Sequence, residues 1–252
     1  MEFWHKMMSN KSLVIVFSTL FALQVLAVIQ DDLMLDRIAK IVVIPVLLTL
    51  YFTRMKYMAN IFLTVFLCSF LGDVFTVFHK NELTHQLSEM AYVGSYILLL
   101  GVLISQFRKV RFEGVVSVYL GLIFMFNAYL LYILYGAVKN SFVDDISLWL
   151  YAGRGLAIVL LVFLAFALYL SRESKQSIIL LVTVACFAFG DVLKYICELY
   201  VYFWVFEVFA IALHLAALVF LLAYVSNHHR KAVRYSVNKE SLSSTSSEHA
   251  TV

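Results

Sequence analysis

Long apolar runs separated by short polar breaks fill the chain up to about Ser226. The runs are continuous, without the every-other-residue alternation of a membrane β-strand. A helix satisfies its own backbone hydrogen bonds in lipid, and a span takes ~20 mostly apolar residues. The pattern predicts eight spans: 12–29, 37–53, 58–78, 86–106, 114–138, 146–170, 177–197 and 202–225. The expected fold class is therefore all-α, a polytopic membrane bundle of eight transmembrane helices occupying residues 1–225. Short connections make successive helices antiparallel neighbours. From 226 to 252 the chain is first basic (His228, His229, Arg230, Lys231, Arg234) and then Ser-rich, the composition of a disordered tail.

Composition supports the pattern. Hydrophobic residues make up 63% of the 252 positions and charged ones 14%, against ~45–50% and ~25% in soluble domains. The mean hydropathy is +0.91. A net charge of +3 without a basic, aromatic-interleaved stretch argues against a nucleic-acid partner. Cys68, Cys186 and Cys197 lie in or at the end of apolar runs, with neither disulfide-framework nor zinc spacing, and read as packing residues. No cofactor or metal is expected. Lys6 and Lys11 precede an apolar run with no small-residue cleavage site after it, so the run reads as the first span.

Lys and Arg in the breaks set an orientation. One side carries Lys6 and Lys11, Arg54 and Lys56, Arg108, Lys109 and Arg111, Arg172 and Lys175, and the tail; the other carries only Lys80 and Lys139. Both termini are then cytoplasmic, with a plasma or inner membrane as the default location.

Several charges fall inside the spans, where each costs roughly 2.5–3.5 kcal/mol on insertion scales. They are Asp73 in span 3, Arg154 in span 6, Asp191 and Lys194 in span 7, and Glu207 with His214 in span 8. Lys40, with Arg37, sits near the outer end of span 2, and Asn127 is a neutral polar group in span 5. At ~1.5 Å per residue, Asp73 and Asp191 lie ~22 Å and ~21 Å along outward-running helices. Lys40, Arg154 and Glu207 lie within about two turns of the outer ends of inward-running ones. The charges share one level in the outer half of the bilayer, with His214 and Asn127 deeper. A polar pocket open to the outer side is one reading. Structural ion pairs are the other; Asp191 and Lys194, at i,i+3, can neutralise each other. His214, on the same face as Glu207, reads by itself as a hydrogen-bonded packing residue rather than a metal ligand.

Cys68-Ser69-Phe70-Leu71-Gly72-Asp73-Val74 and Cys186-Phe187-Ala188-Phe189-Gly190-Asp191-Val192 look alike. A basic residue, Lys40 or Arg154, precedes each in the previous span. This pattern fits two parallel four-helix repeats related by an axis along the membrane normal. Each glycine lets another helix approach closely.

With its eight-span layout, two Gly-Asp segments in spans 3 and 7, and a basic residue leading span 2, the chain resembles the YhhN family of lysoplasmalogenase-like membrane proteins. It resembles a divergent member: Lys40 is followed by Ile41 with the proline at position 45, and Gly190 stands where the family has Ser. The resemblance implies hydrolysis of the vinyl ether bond of a lysophospholipid, giving a fatty aldehyde and a glycerophospho-alcohol. The family's paired aspartates map onto Asp73 and Asp191.

Two adjacent carboxyls suit that chemistry, one protonated as acid and the other ionised to orient water as base. Lys194 beside Asp191 favours Asp191 as base and Asp73 as acid. Lys40, Arg154, Lys194, Glu207, His214 and Asn127 are the candidate substrate-binding groups, with Lys40 and Arg154 suited to phosphate. The expected partner is a membrane lipid or lysolipid; oligomeric state is not encoded. Two alternatives stay open: a transporter or receptor for a small amphiphile or ion, and a non-catalytic structural membrane protein. On the enzyme reading, Asp73→Asn and Asp191→Asn each abolish activity without unfolding the bundle.

Overall fold

A computed structural model describes residues 11–30, 33–53, 55, 57–78, 81–107, 114–138, 145–172, 174–199 and 202–248, with side chains of the last segment described as far as Asn227. Their regular structure is helical throughout. The elements are α1 (Lys11–Gln30), α2 (Leu33–Phe52), α3 (Asn60–Val77), α4 (Glu82–Phe107), α5 (Gly114–Val138), α6 (Asp145–Arg172), α7 (Lys175–Leu199) and α8 (Trp204–Glu248). Arg54, Lys56, Lys80, Arg108, Lys109, Arg111 and Lys139, which carry most of the loop charge asymmetry, lie outside the described residues, as do the tail side chains from residue 228.

Six helices are long and apolar enough to cross a membrane, through Leu13–Gln30, Asn60–Val77, Glu82–Gln106, Ile146–Ser171, Lys175–Cys197 and Trp204–Asn227. The chain is thus a multi-pass helical membrane protein. Two of the eight expected spans fall short on these terms. In α2, Asp36, Arg37 and Lys40 crowd the first eight residues and confine the apolar stretch to the residues after Lys40. In α5 the apolar stretch is the shorter Ser117–Ile133.

The helices form a ring. Going round it, α1 packs on α2, α2 on α3, α3 on α4, α4 on α6, α6 on α7, α7 on α8, and α8 back on α1 and α2. The expectation of strictly sequential neighbours fails at one place. α4 meets α6 directly, and α5 is seated against α6 from outside. Much of α5 faces outward, including Tyr119, Phe126, Tyr129 and Tyr132, as a lipid-facing helix requires.

The ring has two unlike ends. One is closed by an apolar core. The first turns of α3 and α7 contribute Phe62, Phe66 and Leu180, the later halves of α2, α4 and α6 contribute Leu47, Leu103 and Leu168, and the middle of α8 contributes Leu218 and Tyr224. Phe62 meets Tyr224 edge-on, with ring centroids 5.9 Å apart. The opposite end holds the charges.

The tight α3–α4 pair is stitched by small polar residues, as membrane helix interfaces often are. Ser69 and Ser95 hydroxyls lie 2.8 Å apart, and Ser88 donates to the Gly72 carbonyl at 2.9 Å. A Cβ on Gly72 would stand 2.8 Å from the Tyr92 ring. The missing side chain is therefore what lets α4 lay Tyr92 against α3.

Candidate functional site

At the polar end the seven ring helices enclose a cavity of about 250 Å³. Both aspartates reach it, Asp73 from the last turns of α3 and Asp191 from the later half of α7. Lys40, Arg154, Lys194, Glu207 and His214 line it as well. The shared level read from the sequence thus corresponds to a shared space. Asn127 is the exception: it lies on α5, outside the ring, and its side-chain nitrogen donates to the Ile123 carbonyl of its own helix at 2.8 Å. It is no part of this site, because helix order in the sequence did not reveal that α5 lies outside.

Arg154 is the centre of the arrangement. Its Nε and Nη2 donate to Asp191 Oδ2 and Oδ1 at 2.9 and 2.8 Å, a fork-on-fork pair. Its Nη1 donates to Glu89 Oε1 and Oε2 at 2.8 and 3.1 Å. The Tyr96 hydroxyl adds a third bond to Asp191, donating to Oδ2 at 2.9 Å. The guanidinium also lies over the Tyr92 ring, 4.5 Å from its centroid, where the aromatic face attracts a cation. Arg154, Asp191 and Glu89 are only 2%, 4% and 4% exposed. A charge this deep is tolerated only when fully paired, and three helices (α4, α6 and α7) supply the pairing.

Glu89 was not among the candidates from the sequence. It lies two turns into α4, at the level of Arg154. The signal was an acidic residue in a span opposite an unpaired arginine. Tyr92, Tyr96 and Gln24 were also missed, since a tyrosine or glutamine in an apolar run carries no distinguishing pattern.

Asp73 is held differently. The Tyr92 hydroxyl donates to its Oδ1 at 2.6 Å. His214, Lys194 and Lys40 act on it through space. The i,i+3 pairing expected between Asp191 and Lys194 gives way to the Arg154 fork, and Lys194 Nζ lies 5.5 Å from the centroid of the Tyr92 ring. Lys40 pairs with Asp36 one turn earlier at 2.8 Å, both about one-third exposed. Tyr202 donates to Glu207 Oε2 at 2.7 Å. Arg154 has thus given its donors to two carboxylates and presents no open fork to a phosphate.

His85 belongs to the first turn of α4, where its Nε2 lies 3.4 Å from the Tyr151 hydroxyl. Cys68, Cys186 and Cys197 are free thiols. Among the described residues no cluster of three or more His, Cys, Asp and Glu could hold a metal ion.

Among the described residues the arrangement offers one carboxyl that accepts from a tyrosine, a second fixed as a counter-ion, and two ammonium groups, one of them paired with Asp36, around one cavity. No protein-family model, curated protein or solved structure matches the chain.

Proposed function

We propose that the protein is a lysoplasmalogenase-like hydrolase of lysolipid vinyl ethers, working in the cavity that Asp73 and Asp191 share. All eight helices cross the bilayer, with both termini cytoplasmic and the cavity in the outer half. The α1–α4 and α5–α8 halves are parallel repeats. Support for α2 as a span comes from Lys40, which pairs with Asp36 and lines the cavity instead of facing lipid.

The single observation that carries the reading is the meeting of both aspartates and two lysines at one half-open cavity. At about 250 Å³ it falls below the ~300–1,000 Å³ of ordinary ligand pockets. It therefore encloses only the reacting segment of an amphiphile and leaves the chain among lipids. Lys40 and Lys194 attract the phosphate.

Asp73 delivers its proton to the outer vinyl carbon, leaving an oxocarbenium ion. Asp191, ionised beside Arg154, stabilises that cation. Among the described residues its Oδ1 accepts one bond, from Nη2, which leaves a lone pair to orient a water. Addition of that water gives a hemiacetal, with the water's proton returning to Asp73. Collapse then breaks the carbon–oxygen bond and releases aldehyde and alcohol. This assignment keeps the acid role for Asp73 and narrows that of Asp191 to orientation and charge.

A second reading is a binding protein for the same amphiphile without turnover. The closed Arg154–Asp191 fork favours it, because an arginine-paired carboxylate is a weak base. A carrier is less well supported, since the apolar core closes the far end of the ring. The deciding experiment incubates the purified protein in detergent with a 1-alkenyl lysophospholipid. Aldehyde release that falls at least about 100-fold in Asp73→Asn supports the enzyme. Near-wild-type turnover by that variant rejects it, and binding without aldehyde selects the second reading.

A further inference from the structure

Among the described residues, two buried polar atoms on cavity-lining side chains have no hydrogen-bond partner: Gln24 Oε1 on α1 and His214 Nε2 on α8. Gln24 is 8% exposed, and its helix packs directly on α8. The His214 ring is fixed edge-on by Phe187, 5.7 Å between centroids. Buried polar groups are nearly always paired, and an unpaired one costs more than a made bond contributes. Two of them on residues that line one cavity point to a ligand group that satisfies both.

Their chemistry limits that group. The Gln24 carbonyl oxygen accepts only, whereas an imidazole nitrogen gives or takes. A phosphate diester has no proton for Gln24, and an alkyl chain serves neither atom. An ammonium could serve both, but Lys40, Lys194 and Arg154 already line the same small space. A neutral alcohol fits. It donates to Gln24 Oε1, and its oxygen accepts the Nε2–H of His214.

We propose that Gln24 and His214 form a hydroxyl subsite for the ligand of this cavity. On the amphiphile reading above, on which this rests, the alcohol is the hydroxyl that a single-chain glycerolipid leaves free and a two-chain one has esterified. The pair selects for one chain over two, independently of any bond cleavage.

The test measures binding, not turnover, on the full-length protein in detergent. The probes are a saturated 1-O-alkyl glycerophosphocholine with a free 2-hydroxyl, its 2-deoxy analogue and its 2-amino analogue. The wild type is expected to bind the alcohol about tenfold more tightly than the deoxy compound, and more tightly than the amine. In Gln24→Met and His214→Phe the gap should shrink to about threefold or less. Equal binding of alcohol and deoxy compound by the wild type overturns the proposal, as does preference for the amine, a gap unchanged in both variants, or no binding of any probe. The wild-type comparison decides even where a variant fails to fold. A protein with the preference but no aldehyde release keeps this subsite and loses the hydrolase; aldehyde release without the preference does the reverse.

Discussion

Asp73 and Asp191 each follow a glycine in the later half of a helix, and both reach the same cavity, yet they are held in different ways. Asp191 accepts three bonds, two from a buried guanidinium and one from Tyr96. Asp73 accepts one, from Tyr92. The glycines differ in the opposite sense. Gly72 presses against the Tyr92 ring, whereas a Cβ on Gly190 would meet the Ala210 carbonyl and Leu213 at an ordinary 3.5 Å. One turn therefore places its strong constraint on the carboxylate and the other on the backbone. A carboxylate anchored in a fork holds the helices together; one anchored by a single hydroxyl can change partners.

The largest effect is expected where that anchoring is broken. Arg154→Met leaves Glu89 and Asp191 facing each other without a cation, and breaking a buried pair from one side costs about 3–5 kcal/mol. The variant should lose its cooperative melting transition or its monodisperse elution in detergent. Replacing Glu89→Gln, Arg154→Met and Asp191→Asn together should restore much of the fold and none of the activity. A wild-type melt for Arg154→Met would contradict the central role given to that side chain. By the same argument Asp191→Asn should lower stability as well as activity, which revises the expectation that it leaves the bundle intact.

Asp73→Asn tests the other side of the comparison. The amide oxygen can still accept from Tyr92, so the melting temperature should move by only a few degrees while turnover falls at least about 100-fold. A loss of stability as large as that of Arg154→Met would show that the two aspartates are anchored alike after all.

The glycines give a smaller contrast. Gly72→Ala drives a methyl into the Tyr92 ring, which Asp73 and the Arg154 guanidinium hold in place. Such overpacking costs about 1–3 kcal/mol, and it should weaken turnover by displacing the Tyr92 hydroxyl. Gly190→Ala should stay within about 0.5 kcal/mol of wild type, helped by the better helix propensity of alanine. Equal melting temperatures for the two variants would remove the distinction. Smallest of all is Asn127→Leu, outside the ring, which should leave turnover unchanged in the aldehyde assay.

Much of this molecule was legible in the sequence because lipid imposes simple rules. Apolar run length located the helices to within a few residues, and the cost of a charge in hydrocarbon singled out Asp73, Arg154, Asp191 and Glu207. What periodicity cannot supply is which helix stands beside which. Arg154 looked equally suited to a phosphate and to a carboxylate until α4 was found against α6, which brings Glu89 to its Nη1. Asn127 looked like a site residue for the same reason. The charges in α2 illustrate a further limit. Their number makes the helix fall short as a span by composition, although Asp36 and Lys40 neutralise each other across one turn.

The position of Glu89, Arg154 and Asp191 on successive parts of the chain also bears on its birth. Glu89 emerges with α4, Arg154 two helices later with α6, and Asp191 last, with α7. A nascent chain that has inserted α6 can already join Glu89 to Nη1, while the Nε–Nη2 edge is still open. In that order of synthesis the open edge would leave the late α7–α8 hairpin one specific place to dock, the fork that Asp191 fills.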